Sequence, residues 1–356
     1  MPGNSFGTIF RITTWGESHG KAVGAVVDGC PSGLEISEQE IQLELDRRRP
    51  GQSKITTQRK ESDKVRILSG VFEGKTLGTP ISLIVDNVDA ISKSYEDIKD
   101  TYRPGHADFT YDAKYGRRDH RGGGRSSNRE TVGRVAAGAI AKKILSLEGI
   151  ATHGFVRQVG DIVAENVDFQ EIENNIVRCP DKEKAAQMIE LIDKVRKEGD
   201  SIGGTVEVVS TGLPAGLGNP VFNKMDADLA GALMSLGGIR GFEVGLGFKV
   251  SGMKGSESND LMYKDANGNL RFKTNNAGGL LGGITNGEDL VVRIAIKPTS
   301  SISKTQHTVD KSGNPKELRV KGRHDPCLCP RAVPIAEAMV NLVLVDHLLQ
   351  SKLARI

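Results

Sequence analysis

The segment RGGGRSSNRE, residues 121–130, places three glycines, two hydroxyls and three arginines in ten positions. Glycine lets a backbone lie close to a ligand. Hydroxyls and amides at a helix start donate to anionic oxygens, and guanidinium groups bind phosphate or carboxylate through two parallel hydrogen bonds. The chemistry this suits is recognition of a phosphorylated or carboxylated molecule. A solvated basic loop can have the same composition, but recurrence weighs against that reading. GESHG (16–20), DRRRPG (46–51), RPGHADFTY (103–111), NNAGGLLGGITNG (275–287), KPTSS (297–301) and RHDPCLCPRAVP (323–334) also set polar or ionisable residues beside glycine or proline breakers. Loops of fixed geometry carrying reactive side chains are where sites are built.

His19 and His106 each adjoin a glycine in such a loop. Either alone reads equally as a hydrogen-bonded structural histidine. Together with Asp325 they form a set able to supply the acids and base of an elimination or proton transfer. No G-x-S-x-G elbow surrounds Ser18, and no H-E-x-x-H motif offers a metal site. Two nucleotide-like motifs fail on spacing: GVFEGKT (70–76) has three residues between its glycines where a P-loop has four, and the GLG at 245–247 lacks the third glycine of a dinucleotide fingerprint.

Local signals say which elements hold these loops. Ser37 with Glu40 three residues on, followed by Ile41 and Leu45, predicts a capped helix that delivers Arg47, Arg48 and Arg49 at its end. Ser127 and Glu130 match the same capping-box spacing. The stripe Val132, Val135, Ala136, Ala139 and Ile140 continues as a helix whose Ala/Gly-rich face admits a close neighbour. Further helices are expected over 181–199, ended by Gly199, and from Pro334 to the C-terminal region. Strands are expected at 20–29, 79–87, 203–212 and 289–298, β-rich runs bounded by Gly, Pro or Asn. Mixed order without strict βαβ alternation points to α+β packing.

Composition sets the limits. The chain has 356 residues, 37% hydrophobic and 26% charged, with a formal net charge of +3. That length accommodates one large domain or two ordinary ones. No apolar run approaches a membrane span, and the start MPGNSFGTIFRITT lacks a signal-peptide plan, so a cytoplasmic location without membrane association is expected. The small net charge gives little reason to expect nucleic acid, although Arg117, Arg118, Arg121, Arg125, Arg129 and Arg134 face only Asp119 and Glu130 over 117–134. Cys30, Cys179, Cys327 and Cys329 form no CxxC pair and read as reduced, mostly buried thiols, with no metal.

GESHG, RPGHADFTYDAKYG, RGGGRSSNRETVGRVAAGAIAKK, NNAGGLLGGITNG, KPTSS and RHDPCLCPRAVPIAEAM, in this order between residues 16 and 339, resemble the signature segments of chorismate synthases. The resemblance implies one domain over 1–356, with helices sandwiched between antiparallel sheets, assembled as a homotetramer. It implies a lyase that converts 5-enolpyruvylshikimate 3-phosphate to chorismate and phosphate, using reduced FMN in a reaction with no net redox change.

The resemblance further assigns FMN contacts to Arg125, Ser126, Ser127, Gly237, Gly238, Gly278, Lys297, Pro298, Thr299, Ser300, Ser301 and Arg323. Arg48 and Lys54 correspond to an NADPH contact, with Lys54 standing where relatives carry arginine. His19 would be the acid toward the departing phosphate, His106 would attend the flavin, and Asp325 would assist removal of the C6 proton. Ser18, Arg49, Arg134 and Arg331 are the expected substrate contacts, since a phosphate and two carboxylates require converging cations. Gly237 and Gly238 replace the commoner Asn/Gln-Ala pair and Leu246 a frequent Asp, so a contact at 237–238 would run through backbone. Two other classes share these loops: a flavin oxidoreductase on a related anion, marked by net NADPH consumption, and a polyanion or RNA binder. The second is disfavoured by 4% aromatic content and the lack of an RNA-binding signature.

Overall fold

The computed structural model describes residues 3–53, 55–56, 61–89, 98–320 and 324–354. Two five-stranded antiparallel sheets face each other across a layer of helices. The first sheet contains β1 (Ser5–Phe6), β2 (Arg11–Trp15), β3 (Ala22–Asp28), β4 (Val65–Ile67) and β5 (Ile81–Asp86), in the order β1-β2-β3-β5-β4. The second contains β6 (Ala151–Val159), β7 (Ile162–Val163), β8 (Gly204–Thr211), β9 (Ile239–Val244) and β10 (Leu290–Ile296), in the order β9-β10-β8-β6-β7. The strands expected from sequence are β3, β5, β8 and β10, four of the six inner members of the two sheets; the inner strands β2 and β6 were not expected. Their inward side chains, such as Val23, Ala25, Val27, Ile81, Leu83 and Val85, are buried. The architecture is the expected α+β sandwich, and one large apolar core runs through both sheets and the helices between them, with a small separate cluster of Phe155, Ile172 and Val209.

The helices are α1 (Glu38–Arg48), α2 (Asp108–Tyr115), α3 (Thr131–Leu147), α4 (Lys182–Lys197), α5 (Met225–Met234) and α6 (Cys329–Ser351). α1 begins as read: the Ser37 side chain accepts from the Glu40 amide, and Glu40 accepts from the Ser37 amide. Such a cap contributes about 1 kcal/mol and fixes the register that buries Ile41 and Leu45. α3 lies against the first sheet on one side and α6 on the other. A Cβ at Gly133 would fall 2.7 Å from the Gly24 carbonyl of β3, and one at Gly138 would fall 2.5 Å from the Ala338 Cβ of α6. The small-residue face is therefore a requirement of the three-layer contact.

Two helix starts differ from the sequence reading. Ser127 does cap, but it accepts from the Arg129 amide at 3.3 Å, and Asn128–Glu130 forms a 3₁₀ turn before α3. Glu130 does not reach back; it pairs with Arg134 at 3.0 Å one turn ahead. α6 begins at Cys329, so Pro334 lies inside it and Pro330 occupies the first turn. Proline has no N–H for the carbonyl four residues earlier, and Arg178 Nη1 donates to that Pro330 carbonyl at 2.7 Å. A distant guanidinium thus satisfies what a helical amide would have.

α6 has the length and composition to cross a membrane, but 89% of its most apolar stretch is buried inside the protein. It is the central core helix. Its Asp346 accepts the amides of Thr8, Ile9 and Phe10 at 2.7–2.9 Å, which ties the N-terminal strand to the core. The P-loop lookalike at 70–76 is a hairpin in which Val71–Phe72 pairs with Lys75–Thr76. All four cysteines are buried and free of disulfides.

Candidate active site

Between the helical layer and the sheet edges lies a cleft of about 990 Å³, floored by the glycine-rich segment. Gly122, Gly123 and Gly124 all have positive φ (60°, 84° and 54°), the last with ψ −125°, a path closed to L side chains. This path presents Gly122 and residues 125–130 to the cleft. It also makes room behind: a Cβ on Gly122 would stand 2.2 Å from the His19 ring, and one on Gly123 would stand 3.3 Å from the His106 ring.

The elements bring most of the sequence candidates to one wall or another. The floor carries Arg125, Ser126, Ser127 and Arg134, with Ser18 beside them. Ser126 Oγ donates to the Gly123 carbonyl at 2.7 Å, which braces the turn. Gly237 and Gly238 line the cleft between α5 and β9, and residues 297–301 line it after β10. The Gly238 carbonyl accepts the Lys297 amide at 2.9 Å, joining these two loops. Asp325 and Arg331 face the cleft at the start of α6, with Arg331 Nη1 2.5 Å from Asp325 Oδ2.

His106 is held by a carboxylate. Its Nδ1 is 3.0 Å from Asp108 Oδ1, and Arg103 donates to both oxygens of Asp108, at 2.7 and 2.9 Å. Burial would raise the Asp108 carboxyl, but the hydrogen bonds from Arg103 and His106 hold it well below the usual carboxylate range. With Nδ1 turned to Asp108, Nε2 is the nitrogen left for exchange with a ligand.

Arg48 is 1% exposed and spends its three guanidinium nitrogens inside the protein: Nη1 on Asp63 at 2.9 Å, Nη2 on the Asn128 carbonyl at 2.8 Å and Nε on Thr131 Oγ1 at 3.2 Å. Burial weighs against its charge, and Asp63 sustains it. It borders the cleft, yet its visible work is to clamp the turn into α3.

Three other expectations are placed differently. His19 stands behind Gly122, with Ser18 and Gly122 on the cleft wall in front of it. Arg49 points away, 3.5 Å from Asp46, with nearly half its side chain exposed. Gly278 lies off the cleft, packed so closely on Gly245 that a Cβ would fall 2.4 Å from the Gly245 nitrogen. Lys54 and Arg323 lie outside the described residues.

The cleft also recruits residues that the sequence reading passed over: Arg103, Tyr111, Lys114, Arg129, Arg240 and His324. Arg103 and His324 sat in quoted motifs beside the chosen His106 and Asp325, and adjacency was the available signal. Arg240 has no local signature; only the pairing of β9 with β10 brings it near Lys297.

The electrostatics are divided. Arg48, Arg103, Arg129, Arg134 and Arg331 each have a carboxylate partner. Among the described residues, Arg125 bonds only to neutral oxygens of Asn4, Thr14 and Gly16, Arg240 to the Ile239 carbonyl, and Lys297 to Gly105 and Ser300. Burial and then the charge of Arg240 push the Lys297 ammonium down from its ordinary value. Like charges gathered without counter-ions are stabilised by a bound anion.

Comparison with known proteins agrees with this geometry. A family model described as chorismate synthase matches residues 10–349. The chain belongs to the chorismate synthase family. It is 57% identical to a chorismate synthase from Chloroflexus aurantiacus over 356 residues, covering 100% of this chain and 98% of the relative. It is 58% identical to one from Roseiflexus castenholzii (100% and 99% covered) and 59% identical to one from Methanosarcina mazei (99% and 97% covered). A solved structure titled as a crystal structure of chorismate synthase superposes with a TM-score of 0.78 at 34% identity, over 97% of this chain and 93% of that one. Family membership makes the chain an enzyme of the shikimate route to aromatic compounds, with a small-molecule substrate.

Proposed function

We propose that the chain converts 5-enolpyruvylshikimate 3-phosphate to chorismate and phosphate in the presence of reduced FMN. The observation that carries this reading is the convergence of Arg125, Arg240 and Lys297 on one cleft with only neutral oxygens as partners among the described residues, in a chain of this family. The fit to a flavin phosphate rests on the same cations and on the backbone exposed at Gly237 and Gly238. Arg125, Ser126, Ser127, the 237–238 pair and residues 297–301 would hold FMN. Reduced FMN, when bound, supplies electron density to a difficult elimination and recovers it, so that no net redox change occurs.

The chain's own residues have separable tasks. In the overall change the C6–H bond breaks, its electron pair enters the new double bond, the existing double bond shifts, and the C3–O bond breaks as phosphate leaves with its electrons. Arg134 and Arg331 orient the substrate's anionic groups. Asp325, kept as a carboxylate beside Arg331, assists at the proton that leaves C6. His106, fixed by Asp108, presents Nε2 to the flavin side of the cleft. His19 provides the proton for the departing phosphate at the Ser18 edge. Arg48 joins the site by holding the 127–131 turn; Lys54 and Arg323 keep the contacts that the family resemblance assigns, whereas Gly278 packs on Gly245 off the cleft and Arg49 must turn from Asp46 to reach the substrate. NADPH serves as the source of reducing equivalents, the assembly is a homotetramer, and the location is cytoplasmic.

The test is anaerobic: purified protein, 5-enolpyruvylshikimate 3-phosphate and chemically reduced FMN, with chorismate and phosphate followed together. Equal release of both, lost with oxidised flavin, is the expected result. Folded protein that yields neither overturns the reading, and NADPH consumed in proportion to product moves it to an oxidoreductase.

A further inference from the structure

Among the cleft residues without a part in the roles above is a histidine. His324 lines the cleft immediately before Asp325 in sequence. Its Nε2 is shielded from solvent and makes no hydrogen bond among the described residues. Buried ring nitrogens of histidine are normally paired, and one left over in the wall of a ligand cleft points to a partner that arrives with the ligand.

The surroundings determine the form in which His324 would act. Burial and then the positive charge of Arg103 push its imidazole down to about 4, Asp325 opposing and His106 adding to the effect. Neither Asp108 nor Asp325 rescues the charged form: Asp108 is engaged by Arg103 and His106, and Asp325 by Arg331. The two histidines of this end of the cleft therefore differ in kind. His106 Nδ1 meets the Asp108 carboxylate at 3.0 Å with Arg103 Nη2 beside it at 3.2 Å, whereas His324 Nε2 has no hydrogen-bond partner among the described residues. A neutral imidazole offers a directional N–H or lone pair without adding another charge to a wall already rich in arginine.

Resting on the proposed reaction, we propose that His324 is a further ligand-contacting residue whose Nε2 hydrogen-bonds the bound substrate at the Asp325 end of the cleft. It discriminates by geometry rather than by charge. A glutamine, which keeps a neutral donor and acceptor at comparable reach, preserves much of the contact, and an alanine does not.

The experiment compares wild type, His324→Gln and His324→Ala as full-length protein, with thermal unfolding recorded for each. Under the anaerobic assay, His324→Ala is expected to lower kcat/KM about 10- to 100-fold, the range for losing one hydrogen bond to a charged group, with His324→Gln recovering at least half of that loss on a logarithmic scale. Nitrogen-15 NMR of the imidazole, assigned by its absence in His324→Gln, is expected to show a neutral ring from pH 8 down to pH 5.5. Wild-type turnover with His324→Ala within twofold overturns the contact, and so does a ring that titrates near the ordinary histidine value of about 6.5. Equal losses in the Gln and Ala variants assign His324 to packing and also overturn it. Should wild type make no chorismate, the proposed reaction fails by itself. The contact is then judged by calorimetric binding of inorganic phosphate: weaker in His324→Ala than in wild type supports it, and equal affinity overturns it.

Discussion

Two arginine-rich stretches do different jobs. Residues 47–49 end α1, and the arginines have three fates: Arg47 pairs with Glu337, Glu44 and Glu173, Arg48 is buried on Asp63, and Arg49 is exposed. This run is mostly scaffold. In the 121–134 stretch, Arg129 is scaffold too, sharing Asp63 with Arg48, but Arg125 faces the cleft with neutral partners only. Arg48 and Arg129 are structural because the fully buried Asp63 meets them, and Arg125 is available to a ligand because the partners it meets among the described residues are carbonyl, amide and hydroxyl oxygens.

The sharpest way to break the comparison is to remove the shared carboxylate. Asp63 is fully buried, with φ 47°, and it receives both Arg48 and Arg129. Asp63→Ala leaves Arg48 without its counter-ion and Arg129 with only Glu61 at 3.8 Å, and breaking a buried pair of this kind costs about 3–5 kcal/mol. Thermal and urea unfolding should show a loss of that order; a change under 1 kcal/mol would mean that solvent reaches the cluster. The acid limb follows from the same group. Burial would raise Asp63, but Arg48 and Arg129 hold it below its ordinary value of 3.8. Its contribution is complete above that value and disappears as pH falls through the lower folded value. Stability measured from pH 5 to pH 2 should drop more steeply in wild type than in Asp63→Asn.

Arg125 is the opposite case. Its partners are neutral, so Arg125→Ala leaves no buried carboxylate behind and should cost little stability. Loss of a charge-assisted contact of about 1.5–3 kcal/mol predicts 10- to 100-fold weaker binding of FMN by calorimetry. If the variant unfolds several degrees lower and binds FMN normally, Arg125 belongs with the scaffold set.

What the sequence made legible follows the same division. α1, its cap and the strands β3, β5, β8 and β10 were readable because their signals are local: Ser37 with Glu40, and β-rich runs bounded by breakers. Most of the cleft walls were readable because their motifs bundle breakers with polar groups. The start of α6 was misplaced because the group that completes it, Arg178, is 152 residues away. Arg240 was missed because the β9–β10 register, not a motif, brings it to Lys297. Arg47, Arg48 and Arg49 are indistinguishable as letters; their fates depend on Glu337, Asp63 and Asp46, only the last of which is a close neighbour in the chain.

Gly122→Ala tests the floor itself. With φ 60° and ψ 11°, a non-glycine residue pays about 1–2 kcal/mol in backbone strain, and its Cβ would occupy the place of the His19 ring. Stability should fall by that amount, while turnover falls further because His19 and the neighbouring Ser18 must shift. Equal proportional losses in a structure-neutral control at an exposed glycine with open space, such as Gly33→Ala, would reduce the effect to strain alone.

The smallest expected effect isolates the first arginine run. Among the described residues Arg49 pairs only with Asp46, at 3.5 Å and with both side chains roughly half exposed, and such surface pairs contribute between nothing and about 1 kcal/mol. Arg49→Ala should therefore leave stability within about 0.5 kcal/mol of wild type. The family resemblance assigns this residue to the substrate, and its present direction does not. A raised KM at unchanged stability would show that the end of α1 turns Arg49 into the cleft when substrate binds, and would move one member of the scaffold run to the ligand set. An unchanged KM would keep the division as the unliganded chain displays it: the run at 47–49 builds the wall, and the stretch beginning at Arg121 meets the anion.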